Sequence, residues 1–212
     1  MKKNYTHVAI VLDRSGSMGT IKNDIIGGFN QLIEDQKKET GEMTVTLVSF
    51  AEANDYTVIY NRVPIAEVKT LTSNDYRTAG GTALNDSFVR LINETGNDLR
   101  SLSEDNRPEK VLLVSITDGE ENSSREFAGK EGNQKLKELI KHQEDKYNWK
   151  FLYIGANQDS FEEGQLRGIG QTMNFMADEK GTQVMYASMS KSLRAYRQED
   201  AVDFKIDTET TD

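Results

Sequence analysis

The apolar run His7-Val8-Ala9-Ile10-Val11-Leu12 leads directly into Asp13-Arg14-Ser15-Gly16-Ser17. A second run, Val111 to Thr117, leads directly into Asp118-Gly119. Near-continuous apolar runs of this length, each stopped by turn residues, read as strands buried on both faces. Strands of that kind need helices above and below, which restricts the chain to a sheet with both faces covered.

The remaining periodicities agree. Ile21, Ile25, Phe29, Leu32 and Ile33 recur at helical spacing behind the first run. Residues 44–50 alternate as a second strand, and 56–60 read as a third. So short a connection between them fits an antiparallel hairpin and not a crossover. A helix follows with Leu84, Phe88, Leu91 and Ile92 on one face, then the strand at 111–117 and a helix over 133–147. Further strands are predicted at 149–154 and 172–176, with a short helix at 161–167 between them. A closing helix carries Met185, Met189, Leu193 and Tyr196. Alternation of this kind predicts a doubly wound, Rossmann-like α/β fold. Its six-stranded sheet is mostly parallel, with one antiparallel edge strand and helices on both faces. A single domain over 1–198 is expected, followed by an acidic, loose tail over 199–212.

In such folds ligands bind outside the carboxyl ends of the strands, where the winding reverses. Asp13 and Asp118 each stand at such an end. Residues 13, 15 and 17 of an open turn can aim a carboxylate and two hydroxyls at one point, and hard oxygens so converging suit magnesium or calcium. A phosphate cradle would call for backbone donors and no carboxylate. Thr82, in Gly80-Gly81-Thr82-Ala83-Leu84, adds a third hydroxyl on a Gly-rich loop. Each residue also has a plainer reading. Ser15, Ser17 and Thr82 could cap the helices that follow them, and Asp118 could close an Asx-turn with Gly119.

The order Asp13-x-Ser15-x-Ser17, then Thr82, then Asp118 resembles the metal-ion-dependent adhesion site (MIDAS) of von Willebrand factor type A domains. The flanking words Gly-Gly-Thr-Ala-Leu and Ile-Thr-Asp-Gly resemble that family as well, and the likeness runs from about Tyr5 to about Arg197. It implies a metal site at Asp13, Ser15, Ser17, Thr82 and Asp118, with Ser15 and Ser17 binding directly. Thr82 and the two aspartates would bind directly or through water. The implied metal is Mg2+, with Mn2+ or Ca2+ as substitutes, and the implied partner is a protein that offers an Asp or Glu to the metal. The second, adjacent metal site of some members needs further aspartates where this chain has Met18, Gly19 and Thr20, so none is expected.

Composition narrows the function classes. With 26 Lys and Arg against 35 Asp and Glu the net charge is −9, so neither nucleic acid nor an anionic membrane is expected as a partner. The apolar stretches fall short of the roughly 20 residues a membrane span needs. The run behind Met1-Lys2-Lys3 is too short and wrongly flanked for a signal peptide. There is no Cys, hence no disulfide to close the domain. A stand-alone cytoplasmic module of the bacterial or phage kind is therefore expected. Its setting could be a ring ATPase or a stress-response complex, for which it would act as an adaptor.

A magnesium-dependent hydrolase or phosphotransferase is the alternative, but it would need a base or nucleophile beside the metal. His7 in a strand and His142 on a helix read as structural, so no enzyme is expected. A component with a merely stabilising metal is the third possibility. Around the motif, Glu120 and Glu121 read as solvated loop residues, with an internal mimic of an acidic ligand as the sharper alternative. Arg14 reads as a rim charge that could steer an acidic partner, or as only a surface charge. Gly27-Gly28, within a helical pattern, points to close packing against another element.

Overall fold

The computed structural model describes residues 1–156, 159–198, 201 and 203–207. Among these residues six strands form one sheet: β1 (Lys2–Asp13), β2 (Glu42–Phe50), β3 (Tyr56–Pro64), β4 (Pro108–Thr117), β5 (Lys150–Ala156) and β6 (Gln171–Phe175). The spatial order is β3-β2-β1-β4-β5-β6. All neighbours are parallel except β2 and β3, so the antiparallel strand lies on the edge. From β1 the chain first winds outward through β2 and β3, then returns to the other side of β1 as β4. The winding reverses between β1 and β4, as the two Asp-terminated runs require.

Among the described residues five helices cover the faces: α1 (Lys22–Gln36), α2 (Leu84–Ser101), α3 (Gly129–Tyr147), α4 (Ser160–Arg167) and α5 (Glu179–Arg197). Val8, Ile10 and Leu12 of β1 face one core with Ile25 and Phe29 of α1 and Met185 and Met189 of α5. Ala9 and Val11 face the other, with Phe88 and Ile92 of α2 and Leu136 and Ile140 of α3. Strand side chains alternate, so Asp13 continues the row of Ala9 and Val11 and stands on the α2 side. Among the described residues no helix is long and apolar enough to cross a membrane.

The α1–α5 contact accounts for one of the two adjacent glycines. A methyl group on Gly28 would lie 2.1 Å from the Tyr186 ring, whereas one on Gly27 would meet nothing within 4 Å. Only Gly28 is required by packing.

The loose tail needs correction where it is described. Phe204 is buried with its ring edge-on to Tyr196, the centroids 5.6 Å apart. Asp203 pairs with Lys150 at 2.8 Å, and the Ile206 amide donates to Gln171 Oε1 at 3.1 Å. Residues 203–207 are thus held on the domain by one apolar anchor and polar contacts on either side of it. The rest of the expected tail, residues 199, 200, 202 and 208–212, lies outside the described residues.

Candidate metal centre

The β1–β4 register pairs Leu12 with Ile116. The next residues, Asp13 and Thr117, are therefore lateral neighbours on the same face. Thr117 donates its hydroxyl to Asp13 Oδ2 at 2.5 Å, and the Ser15 amide donates to Asp13 Oδ1 at 2.7 Å. Asp13 is fully buried, so both its oxygens need such partners. Its backbone carbonyl accepts from the hydroxyl of Tyr76, also buried.

Beyond Asp13 the chain turns. The Arg14 amide donates to the Phe50 carbonyl, extending the β1–β2 pairing by one bond. The Ala79 amide donates to the Arg14 carbonyl, and the Gly16 amide to the Gly80 carbonyl. This lays the loop that precedes Thr82 against the serine turn. Ser15 Oγ lies 3.1 Å from Ser17 Oγ, and Ser17 Oγ donates to Asp118 Oδ1 at 2.7 Å. Gly119 forms the wall between Thr82 and Ser17. A methyl group there would lie 3.2 Å from Thr82 Oγ1 and 3.8 Å from Ser17 Oγ. The structure thus brings all five sequence-predicted residues to one place. Asp13, Ser15 and Thr82 are buried as its floor, while Ser17 is exposed and Asp118 half-buried on the outward side.

The plainer readings of these residues fail locally. The N-cap residues of the short 3-10 helix Ser17–Ile21, of α1 and of α2 are Gly16, Ile21 and Ala83, none with a side-chain capping bond, and the first amides of α2 are taken by Glu121 and Ser124, not by Thr82. The turn after β4 is closed by Thr117, whose Oγ1 accepts the Gly119 amide at 3.2 Å, and not by Asp118. The three hydroxyls and Asp118 are not engaged in the roles that would make them ordinary.

The electrostatics follow from burial and charge. Burial pushes the Asp13 carboxyl up to about 6. The hydrogen bonds from Thr117 and Ser15 pull the other way, and the Asp118 carboxylate adds to the rise. Burial also raises Asp118, against the bond from Ser17. Two carboxylates whose ionisation is disfavoured, among neutral hydroxyls, form a site that gains from positive charge. Arg14 does not supply it. Its guanidinium is turned to Asp55 and to the Arg77 carbonyl, which corrects the reading of Arg14 as a rim charge that could steer an acidic partner.

Glu121 is neither a solvated loop residue nor a ligand mimic. Its Oε2 accepts the Asn85 amide at 2.8 Å at the start of α2, and its Oε1 accepts the Ser124 amide at 2.7 Å. Glu120 is exposed. His7 is sealed in β1 with Nδ1 2.9 Å from Thr44 Oγ1. Burial, with the Arg62 charge, depresses its pKa to about 3, so it stays neutral. Sequence reasoning missed Thr117, Tyr76 and Asn122. A polar residue in register with Asp13 was the available signal for Thr117. Tyr76 and Asn122 are placed by folding alone.

Neither a protein-family model nor a curated protein matches this chain. Solved structures do. A von Willebrand factor type A protein from Catenulispora acidiphila superposes with a TM-score of 0.63 at 15% identity, over 90% of this chain and 43% of that one. Proximal thread matrix protein 1 of the mussel byssus, solved with a zinc-occupied MIDAS motif, gives 0.56 at 12% identity, over 91% and 46%. The manganese-loaded TRAP protein of Plasmodium vivax gives 0.53 at 16% identity, over 86% and 73%. This chain spans less than half the length of the first two. Identities this low establish architecture only, and on that measure the chain has the von Willebrand factor type A fold.

Proposed function

We propose that the chain is a binding module, not an enzyme, that holds a divalent cation at the carboxyl rim of its sheet and through it captures an acidic side chain of a partner protein. The observation that carries this reading is the convergence on one spot of two carboxylates and three hydroxyls that cap no helix, with no ion pair to either carboxylate among the described residues. Asp13 and Asp118 would offset the charge of the ion. Ser15, Ser17 and Thr82 would add neutral oxygens. Five side chains offering only hard oxygens, without nitrogen or sulfur, fit Mg2+, and Mn2+ or Ca2+ as substitutes. The two fold relatives solved with zinc and manganese support a divalent metal in general. The bound ion would supply a Lewis-acidic position for a carboxylate oxygen of the partner.

The chain's own part is orientation. Thr117 and the Ser15 amide hold Asp13, and Ser17 holds Asp118. The outward side, at Ser17 and Asp118, is where a partner's Asp or Glu would enter. A cytoplasmic adaptor beside a ring ATPase or a stress-response complex is the setting we favour.

Calorimetric titration of EDTA-stripped protein with Mg2+ and Mn2+, run beside Asp13→Ala, tests the reading. Saturable binding that the variant loses is the expected result. Wild-type protein that takes up neither ion at millimolar concentration would overturn it.

A further inference from the structure

We infer that Asn122 is a positioning residue for Thr82, clasping the loop that carries this hydroxyl to the loop that carries Asp118. The inference rests on the metal-site reading above and adds to it a residue outside the five ligands.

Thr82 reaches the site from a loop far from both strand ends in sequence, so something must hold its backbone. Asn122 does so from both sides. Its Oδ1 accepts the Thr82 amide at 2.9 Å, and its own amide donates to the Thr82 carbonyl at 3.0 Å. The Ser123 amide donates to the same carbonyl at 3.1 Å, and Ser123 Oγ donates to Asn122 Oδ1 at 2.6 Å. Both backbone polar groups of Thr82 are therefore spent on residues only four and five positions beyond Asp118.

Glu121 anchors the clasp. Besides the Asn85 and Ser124 amides it accepts the Ser123 amide at 3.0 Å and the Ser124 hydroxyl at 2.7 Å. Ser124 Oγ in turn accepts the Asp86 amide at 3.0 Å, and the Asp86 carboxylate accepts the amides of Arg125 and Phe127, each at 2.8 Å. Residues 121–127 are thus bound along their length to Thr82 and to the first turn of α2. When Asp118 is in place, Thr82 is carried with it.

Gly81 fits the same account. A methyl group there would lie 2.2 Å from Ser123 Oγ and 2.9 Å from Asn122 Oδ1. This glycine is required by the clasp, because only a residue without Cβ lets Asn122 reach the next amide.

The test is Mn2+ affinity of the full chain, by calorimetry, for Asn122→Ala, Thr82→Ala and the double variant. Residues that orient metal ligands typically change affinity by about tenfold or more. Asn122→Ala should therefore weaken binding about tenfold with Thr82 present and add little once Thr82 is Ala. A role merely in stability would not give that dependence. Gly81→Ala, which displaces the same clasp from the opposite side, should weaken binding similarly. Unchanged affinity in folded Asn122→Ala, or an equal loss in both backgrounds, would overturn the inference while leaving the metal site intact. A wild-type chain that binds no Mn2+ would overturn both.

Discussion

Thr117 Oγ1 donates to Asp13 Oδ2 at 2.5 Å, joining the end of β4 to the end of β1 through a side chain. The bond lies at the reversal of winding, where the sheet ladder itself stops. Thr117→Val keeps the shape and removes the donor. A buried acceptor left unsatisfied costs about 1–3 kcal/mol, and loss of an orienting partner costs a metal ligand about tenfold in affinity. Urea denaturation in EDTA and Mn2+ titration should show both losses.

Asp13 makes the stability of metal-free protein depend on pH. Its folded value, about 6, lies above the usual 3.8. The folded chain therefore holds a proton that the unfolded chain has released. The stability from this group is complete below pH 3.8 and is lost as pH rises toward 6, a change of roughly 3 kcal/mol. In a His7→Phe background, Asp13→Asn should abolish that fall in denaturation curves recorded between pH 4 and 7. Metal uptake should show the reverse trend and weaken below pH 6, because protons compete for the carboxylate.

His7 has the opposite sign. Its folded value of about 3 lies below the usual 6.5. The unfolded chain takes up a proton that the folded chain refuses. Its contribution is complete above pH 6.5 and falls by about 1.4 kcal/mol per pH unit on acidification toward 3. Between pH 4 and 6 the two groups offset one another in the wild type. His7→Phe should expose the Asp13 slope and Asp13→Asn the His7 slope, so the variants should diverge as the pH is lowered.

The adjacent glycines of α1 should respond in opposite directions. Gly27→Ala meets open space and should raise stability by about 0.5–1 kcal/mol through helix propensity. Gly28→Ala drives a methyl group into the Tyr186 ring and should lower stability by about 1–3 kcal/mol. Thermal melts of the two variants distinguish them directly.

Phe204 lies outside the last helix, yet it is a core residue. Phe204→Ala should cost about 3 kcal/mol or more, whereas a residue of a loose tail would cost almost nothing. Chemical denaturation measures the difference.

The order of strands and helices, the reversal at β1 and β4, and the five candidate ligands were legible in the sequence by itself. Each rests on local pattern: apolar runs with a period of two or none, helices with a period near 3.6, and oxygen-bearing residues at their ends. Tertiary structure decided how those oxygens are held. Thr117 reaches Asp13 because parallel register makes them neighbours across 104 positions. Tyr76 reaches the Asp13 carbonyl across 63. Asn122 reaches Thr82, Glu121 turns to α2, and Arg14 is drawn to Asp55. Phe204 could not be told from a tail residue, because an isolated apolar side chain carries no periodicity. Hydrogen bonds between distant loops leave no pattern along the chain, since their geometry exists only once the sheet has brought the strand ends to one rim.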